Sequence, residues 1–222
     1  MEKLITEDIA NQVADIFKEM ESGVEIFFFG SEKNCEYCGE IEQLIEEVSA
    51  LSPLIYTQIY DLDKDSILAE KYHVELAPTL VILSREGDNM IDYGIRLLGA
   101  PAGHEFTTLV HDILFVSKRR TNLGDGTRSY LKNLDTPLLL QVFVTPTCPY
   151  CPQAVLLAHQ MALESDMVQA EMVESNEFFD LANRYNVSGV PQTTINAGAG
   201  RVVGAVHEKI LLEQIQNALI AE

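Results

Sequence analysis

Cys35-Glu36-Tyr37-Cys38 and Cys148-Pro149-Tyr150-Cys151 are two Cys-x-x-Cys motifs that begin 113 residues apart, and they contain all four cysteines of the 222-residue chain. When the sequence is aligned with itself at that offset, further identical residues pair without any insertion or deletion. Each copy also has a proline 40 residues after its second cysteine, at Pro78 and Pro191. A fixed internal offset of this kind indicates a tandem duplication. The chain therefore carries the same dithiol unit twice.

The pattern of apolar residues predicts the same order of elements in each copy. Near-continuous apolar runs at residues 24–29 and 138–144 are typical of buried strands, and a helical stripe of apolar residues follows each dithiol. A leading helix and then the order β-α-β-α-β-β-α follow from the rest of the pattern, which predicts an α/β fold with a mixed sheet flanked by helices. The turn-rich stretch 119–126 marks the predicted boundary. We expect an N-terminal unit at residues 1–120 and a C-terminal unit at residues 121–222.

The composition limits the classes of partner. A net charge of −19 argues against nucleic acids and anionic membranes as partners. No run approaches the roughly 18 apolar residues of a membrane-spanning helix. The first residues lead into an acidic, amphipathic segment and not into the apolar core of a signal peptide, so we expect a cytoplasmic location. Since structural disulfides are rare in that compartment, a vicinal pair is expected to be catalytic or metal-binding.

Each first cysteine, Cys35 or Cys148, is predicted to lie where a buried strand ends and a helix begins. Unpaired backbone N–H groups and the positive end of the helix dipole stabilise a thiolate there, and the thiolate is the nucleophile. The second cysteine, Cys38 or Cys151, follows one turn later on the apolar stripe. We therefore predict exposed attacking thiols at Cys35 and Cys148, and sheltered resolving thiols at Cys38 and Cys151. The reaction would pass through a mixed disulfide with the substrate.

Half of a zinc site is the alternative interpretation of a Cys-x-x-Cys motif. Paired zinc motifs lie about 15–20 residues apart, far closer than these two. Pro149 suits the first turn of a helix better than a metal knuckle. None of the five histidines has a ligand-like spacing near either pair. The sequence favours redox chemistry without a metal or a cofactor, and a zinc-bound or scaffold protein is the non-enzymatic alternative.

The two dithiols differ in the charge around them. Three glutamates and one lysine lie within five residues of Cys35, whereas residues 144–153, around Cys148, are uncharged. Neighbouring carboxylates disfavour a thiolate. We therefore predict that Cys148 has the lower thiol pKa and that its disulfide is the more oxidising.

Pro78 and Pro191 precede a predicted strand in both copies. A trans proline that opens a strand is the ordinary arrangement, but matched prolines in a tight turn favour a cis bond. A cis bond would bring the backbone of Ala77 and Val190 beside the sulfur atoms and would leave an unpaired edge for an extended peptide. We therefore predict Ala77, Pro78, Val190 and Pro191 as substrate-binding residues.

A dithiol after a buried strand, followed by a helix and a proline before the next strand, resembles the thioredoxin fold. Cys148-Pro149-Tyr150-Cys151 is similar to the active-site tetrapeptide of dithiol glutaredoxins. Two such units in one chain resemble the glutaredoxin-like protein disulfide oxidoreductases of archaea and some bacteria, which implies two tandem thioredoxin-like units. The resemblance also implies four catalytic cysteines and cis bonds at Pro78 and Pro191. Its implied activity is reduction of protein disulfides, with oxidation or isomerisation, fed by a thioredoxin reductase-like donor.

The chain departs from thioredoxin at one position in each copy. Thioredoxins carry a buried acid six residues before the first cysteine, and Phe29 and Val142 stand there in this sequence. The route of the proton from the resolving thiol is therefore open. A second resemblance offers an alternative function, since the N-terminal module of alkyl hydroperoxide reductase flavoproteins is also a double thioredoxin fold and passes electrons to a peroxiredoxin. That module typically keeps one working dithiol, whereas both pairs are intact in this chain.

Overall fold

Helices and strands follow one another along the chain in the order that the apolar pattern predicts. The computed structural model describes residues 3–33 and 35–220. The α-helices of these residues are α1 (Glu7–Phe17), α2 (Cys38–Ser49), α3 (Ser66–Lys71), α4 (Glu105–Lys118), α5 (Asp125–Lys132), α6 (Cys151–Glu164), α7 (Phe179–Arg184) and α8 (Glu208–Ile220). The strands are β1 (Gly23–Gly30), β2 (Ile55–Asp61), β3 (Thr79–Glu86), β4 (Asn89–Leu98), β5 (Leu138–Val144), β6 (Val168–Glu174), β7 (Gln192–Ile195) and β8 (Gly200–Val203).

The eight strands of the described residues form one continuous mixed sheet in the order β2-β1-β3-β4-β6-β5-β7-β8. β1 pairs in parallel with β2 and antiparallel with β3, and β5 pairs in the same way with β6 and β7. The two halves join where β4 pairs in parallel with β6, from Ile95 opposite Ala170 to Leu98 opposite Val173. We propose that the boundary between the two units lies at residues 120 and 121, between α4 and α5.

Both dithiols lie at the same edge of this sheet. β4 is antiparallel to β3, which is antiparallel to β1, so β4 runs in the direction of β1. β6 is parallel to β4, and β5 is parallel to β6. The motifs that follow β1 and β5 therefore both lie at the edge of the sheet where these two strands end. Four strand spacings of about 4.8 Å separate β1 from β5, which places the two motifs about 19 Å apart across the sheet.

The main core lies between one face of the sheet and six of the helices. Alternate strand residues, such as Ile26 and Phe28 on β1 and Leu140 and Val142 on β5, pack there against α1, α2, α4, α5, α6 and α8. Two smaller clusters lie on the other face, one beneath α3 and one beneath α7. No helix of the described residues is long and apolar enough to cross a membrane.

Candidate redox sites

Each Cys-x-x-Cys motif lies between the end of a strand and the start of a helix. Cys38 and Cys151 are the first residues of α2 and α6, and Cys35 and Cys148 lie three residues earlier. Cys35 is disulfide-bonded to Cys38 and Cys148 to Cys151, with Cα atoms 5.4 and 5.5 Å apart. We call the first pair the first site and the second pair the second site. Neither disulfide joins distant parts of the chain.

The exposure of the cysteines differs from the sequence prediction. Cys148, predicted to be exposed, is only 8% exposed, and Cys151 is fully buried. Cys35 and Cys38 are both half-buried, so Cys38 is less sheltered than predicted. The physical reason is that α4 packs beside α6, and the segment before α4 covers the second site.

Gly103 allows that segment to approach the second site. The N–H group of His104 donates a hydrogen bond to the carbonyl oxygen of Pro146 at 3.0 Å, two residues before Cys148. Gly103 has a φ of +60°, and a Cβ atom at this position would lie 2.3 Å from the same carbonyl oxygen. No larger residue fits without a backbone shift, because that distance is well inside van der Waals contact. The first half of the chain therefore forms one wall of the site in the second half.

The peptide bonds before Pro78 and Pro191 are both cis, as predicted. The strand registers, extended by one residue, place Pro78 beside Gly30 at the end of β1 and Pro191 beside Val144 at the end of β5. Both prolines therefore flank the point where the chain turns into a dithiol.

The backbone next to each cis-proline has unpaired hydrogen-bonding groups among the described residues. The proline carbonyl groups are already engaged, since they accept hydrogen bonds from the N–H groups of Gly99 and Gly204 at 2.9 and 2.7 Å. Within the described residues, the backbone N–H and C=O groups of Ala77 and Val190 have no hydrogen-bond partner. Each site thus combines a dithiol with a short unpaired peptide edge.

Negative charge is concentrated at the first site. Glu36, between the two cysteines, is exposed. Burial raises the pKa of Glu177, and the carboxylates of Glu174 and Glu36 add to that rise, so the second half of the chain contributes acids close to the first site. Glu177 also accepts a hydrogen bond from the N–H group of Ala100 at 2.6 Å. Two other charged residues of the first loop form exposed ion pairs, Glu32 with Lys64 and Lys33 with Asp63.

A buried acid that the sequence analysis did not identify lies at the start of α4. Glu105 is 1% exposed. Burial raises its pKa to about 7, although a hydrogen bond from Thr108 and the charge of His159 act in the opposite direction. The hydroxyl of Thr108 donates to Oε2 of Glu105 at 2.5 Å, and Oε1 is buried without a partner among the described residues. A carboxyl group with this pKa both accepts and donates a proton near neutral pH.

Glu105 lies level with Cys151 of the second site. α4 and α6 run in the same direction, since each follows a strand that ends at the dithiol edge. The two helices touch where Nδ1 of His159 lies 2.8 Å from Oδ2 of Asp112. Glu105 is seven residues before Asp112, and Cys151 is eight residues before His159, which correspond to about 10 and 12 Å along the two helices. Glu105 therefore begins α4 at the same end of the helix pair at which Cys151 begins α6.

Within the part of the chain that the structure describes, potential metal ligands do not cluster at either site. Among the described residues, no group of three or more His, Cys, Asp or Glu side chains is placed to hold a metal ion.

Comparison with known proteins identifies the family. Residues 138–217 match the family model of the thioredoxin domain. The crystal structure of a protein disulfide oxidoreductase from Aeropyrum pernix has a TM-score of 0.87 to this chain and is 32% identical, covering 96% of this chain and 93% of that one. The chain belongs to the protein disulfide oxidoreductase family. This similarity confirms the predicted fold class of two tandem thioredoxin-like units. The chain is therefore an oxidoreductase with two Cys-x-x-Cys dithiols.

A second group of relatives shares this architecture. The F subunit of alkyl hydroperoxide reductase from Staphylococcus aureus is 27% identical over 202 residues, which are 90% of this chain but 36% of that protein. The chain thus spans about a third of the length of these curated relatives. The structure of the corresponding F subunit from Enterococcus faecalis has a TM-score of 0.87 at 24% identity and covers 96% of this chain and 100% of that one, which shows a common fold.

Proposed function

We propose that this protein acts on protein disulfides through both sites, reducing them and, at a suitable redox poise, oxidising or isomerising them. The observation that carries the proposal is that each vicinal disulfide lies beside an unpaired peptide edge. A disulfide that closes a loop of so few residues removes little entropy from the unfolded chain, so stability is a weak reason for it. A dithiol beside a peptide edge is suited to exchange with a disulfide in an extended segment of another protein.

The second site performs the exchange in two steps. The thiolate of Cys148 attacks one sulfur atom of the substrate disulfide, which forms a mixed disulfide and releases the first substrate thiolate. Cys151 then gives its proton to the carboxylate of Glu105, and its thiolate attacks the sulfur of Cys148. A disulfide between the two cysteines forms, the second substrate thiolate leaves, and two electrons have passed to the substrate. Glu105 returns the proton to the leaving thiolate or to solvent.

At the first site, Cys35 and Cys38 take the same two roles. The resolving residue, Cys38, is half-buried, so solvent reaches its thiol more easily than it reaches the thiol of the buried Cys151. Solvent is therefore the proton acceptor that we propose for this site.

An extended substrate segment would bind along the unpaired edge of Ala77 and Pro78 at the first site, or of Val190 and Pro191 at the second. Exposed tyrosine rings adjoin both edges, since the third residue of each Cys-x-x-Cys motif is a solvent-exposed tyrosine. These rings provide apolar contact area for varied substrate side chains.

The proposed electron donor is a thioredoxin reductase-like flavoprotein, and the proposed location is the cytoplasm. Family membership supports the donor. The use of all four cysteines in vicinal pairs supports the location, because proteins of oxidising compartments commonly use disulfides between distant segments.

A second candidate function is that of a dedicated carrier from a flavoprotein reductase to a peroxiredoxin. The similarity to the F subunit of alkyl hydroperoxide reductase favours it. Parallel assays with insulin and with a purified peroxiredoxin separate the two functions. Comparable reduction of insulin supports the general oxidoreductase, and reduction of the peroxiredoxin alone supports the carrier.

Redox titration in defined dithiothreitol buffers tests the proposed chemistry. Thiols alkylated at each poise are counted by mass on peptides that separate the two sites, so each site is read independently. We expect thiols to appear two at a time at each site. Potentials near −270 mV, the value of thioredoxin, would indicate a reductase, and values above about −200 mV an oxidase or isomerase. Thiols that appear singly, or that react only after a chelator is added, would refute the proposal.

A further inference from the structure

Three ionisable side chains are buried together between α4 and α6. Glu105, Asp112 and His159 are 1%, 0% and 1% exposed. His159 Nδ1 lies 2.8 Å from Asp112 Oδ2. Each side chain also has one buried polar atom without a partner among the described residues, namely Glu105 Oε1, Asp112 Oδ1 and His159 Nε2. Burial of such groups is costly compared with an apolar contact, so helix packing alone does not explain them.

We propose that His159, oriented by Asp112, is a positioning residue for the second site that keeps Glu105 able to accept the proton of Cys151. This inference rests on the role of Glu105 in the proposed function. Cys151, Val155 and His159 follow each other at intervals of four residues, so they lie along one side of α6. His159 therefore lies on the same side of α6 as Cys151, about two turns further along the helix.

Few charged groups other than His159 face the carboxyl group of Glu105. α4 contributes Asp112, which repels a carboxylate, and α6 contributes His159, which attracts one. The strand faces beneath are apolar, residues 145–147 are uncharged, and His104 is exposed to solvent. In so buried a place one charge strongly affects the next. Without His159, no other cation among the described residues faces Glu105, and its proton would be held more tightly.

His159→Gln tests the proposal, since glutamine can still donate a hydrogen bond to Asp112 but carries no positive charge. The protein also carries Cys35→Ser and Cys38→Ser, so that only the second site reacts. The reduced protein is mixed with dithiobis-nitrobenzoate from pH 5 to pH 9 in a stopped-flow instrument. The first equivalent of released nitrobenzoate thiolate reports the attack by Cys148, and the second equivalent reports resolution by Cys151.

We expect His159→Gln to move the pH midpoint of the second phase upward by about one unit, which is the size of effect that a neighbouring charge has on a carboxyl group. At pH 6 resolution would be about tenfold slower than in the protein with His159, and at pH 9 the rates would converge. His111→Gln is the matched control, because His111 lies next to Asp112 on α4 but its ring lies near that of Phe115, with the centroids 6.3 Å apart, and not in the cluster. It should leave both phases unchanged.

The double variant Asp112→Asn with His159→Gln is a second test in case His159→Gln alone does not fold. It removes both charged members of the pair, so neither stays in the core without its partner. A smaller upward shift is expected, since the repulsion by Asp112 is lost together with the attraction by His159. An unshifted midpoint in a folded variant, or loss of folding in both variants, would overturn the inference. Glu105→Gln distinguishes a failure of the proposed function from a failure of the present inference. If it leaves the second phase unchanged, the role of Glu105 itself fails; if it slows that phase while His159→Gln has no effect, only the present inference fails.

Discussion

The contribution of Glu105 to the free energy of unfolding should fall as the pH rises towards neutrality, and Glu105→Gln should remove that contribution. Burial raises the pKa of Glu105 from 4.5 to about 7, so the native state binds this proton more tightly than the unfolded chain does. Between these two values the native state keeps a proton that the unfolded state has released, and stability therefore decreases with pH. The difference of about 2.5 pKa units corresponds to about 3 kcal/mol. This stabilisation is complete below pH 4.5 and lost above pH 7.

Urea unfolding of the oxidised protein and of the Glu105→Gln variant between pH 4 and pH 9 measures this effect. Circular dichroism is the suitable signal, because the chain has no tryptophan. All other groups titrate in both proteins, so the difference between the two stability curves isolates Glu105. From pH 4 to pH 8 that difference should change by about 3 kcal/mol in favour of the variant.

Glu7→Gln is the control for this experiment. Glu7 also lies in the first turn of a helix, α1, but it is exposed. The free energy of unfolding of the Glu7→Gln variant should differ from that of the parent protein by a nearly constant amount across the pH range. Parallel curves for Glu105→Gln as well would refute the high pKa of Glu105, and with it the role of this residue as a proton acceptor at neutral pH.

Two further predictions concern the difference between the sites and the contact that covers the second one. Alkylation rates measured against pH should give Cys148 the lower thiol pKa, because carboxylates surround Cys35; a lower value for Cys35 would contradict that reasoning. Gly103→Ala should lower the free energy of unfolding by about 2 kcal/mol or more and change alkylation at the second site only, because the added methyl group meets a carbonyl oxygen at a positive φ. Gly126→Ala, which adds a methyl group in open space on α5, is the control and should be neutral or stabilising by up to about 1 kcal/mol.

The sequence determined the elements and the chemistry of the dithiols, because both are local properties. Apolar periodicity predicts every strand and helix within a few residues, and the internal repeat aligns both dithiols with a proline. The differences in bounds have local causes as well. The last helix predicted for the first unit begins only at Glu105, because the backbone at Gly99 and Gly103 takes positive φ values that a helix does not allow.

Pairing between the two halves was decided only by the tertiary structure. The residues of β4 and β6 predict strands, but apolar periodicity does not say which strand lies next to which. Because β4 joins β6 in parallel, the two sheets become one and both dithiols reach the same edge. The same pairing brings α4 beside α6, which buries Cys148 against the prediction.

The proposed proton acceptor, Glu105, also depended on tertiary structure. In the sequence, Glu105 is an acid in the first turn of a helix, which the helix dipole explains without any further role. His159 offers a weak signal, since it interrupts the apolar side of α6. The acid comes from the first half of the chain and the cysteines from the second, so comparison of the two repeats does not reveal it. Burial between α4 and α6 gives Glu105 its high pKa, and burial is a property of the packed protein that the local sequence does not carry.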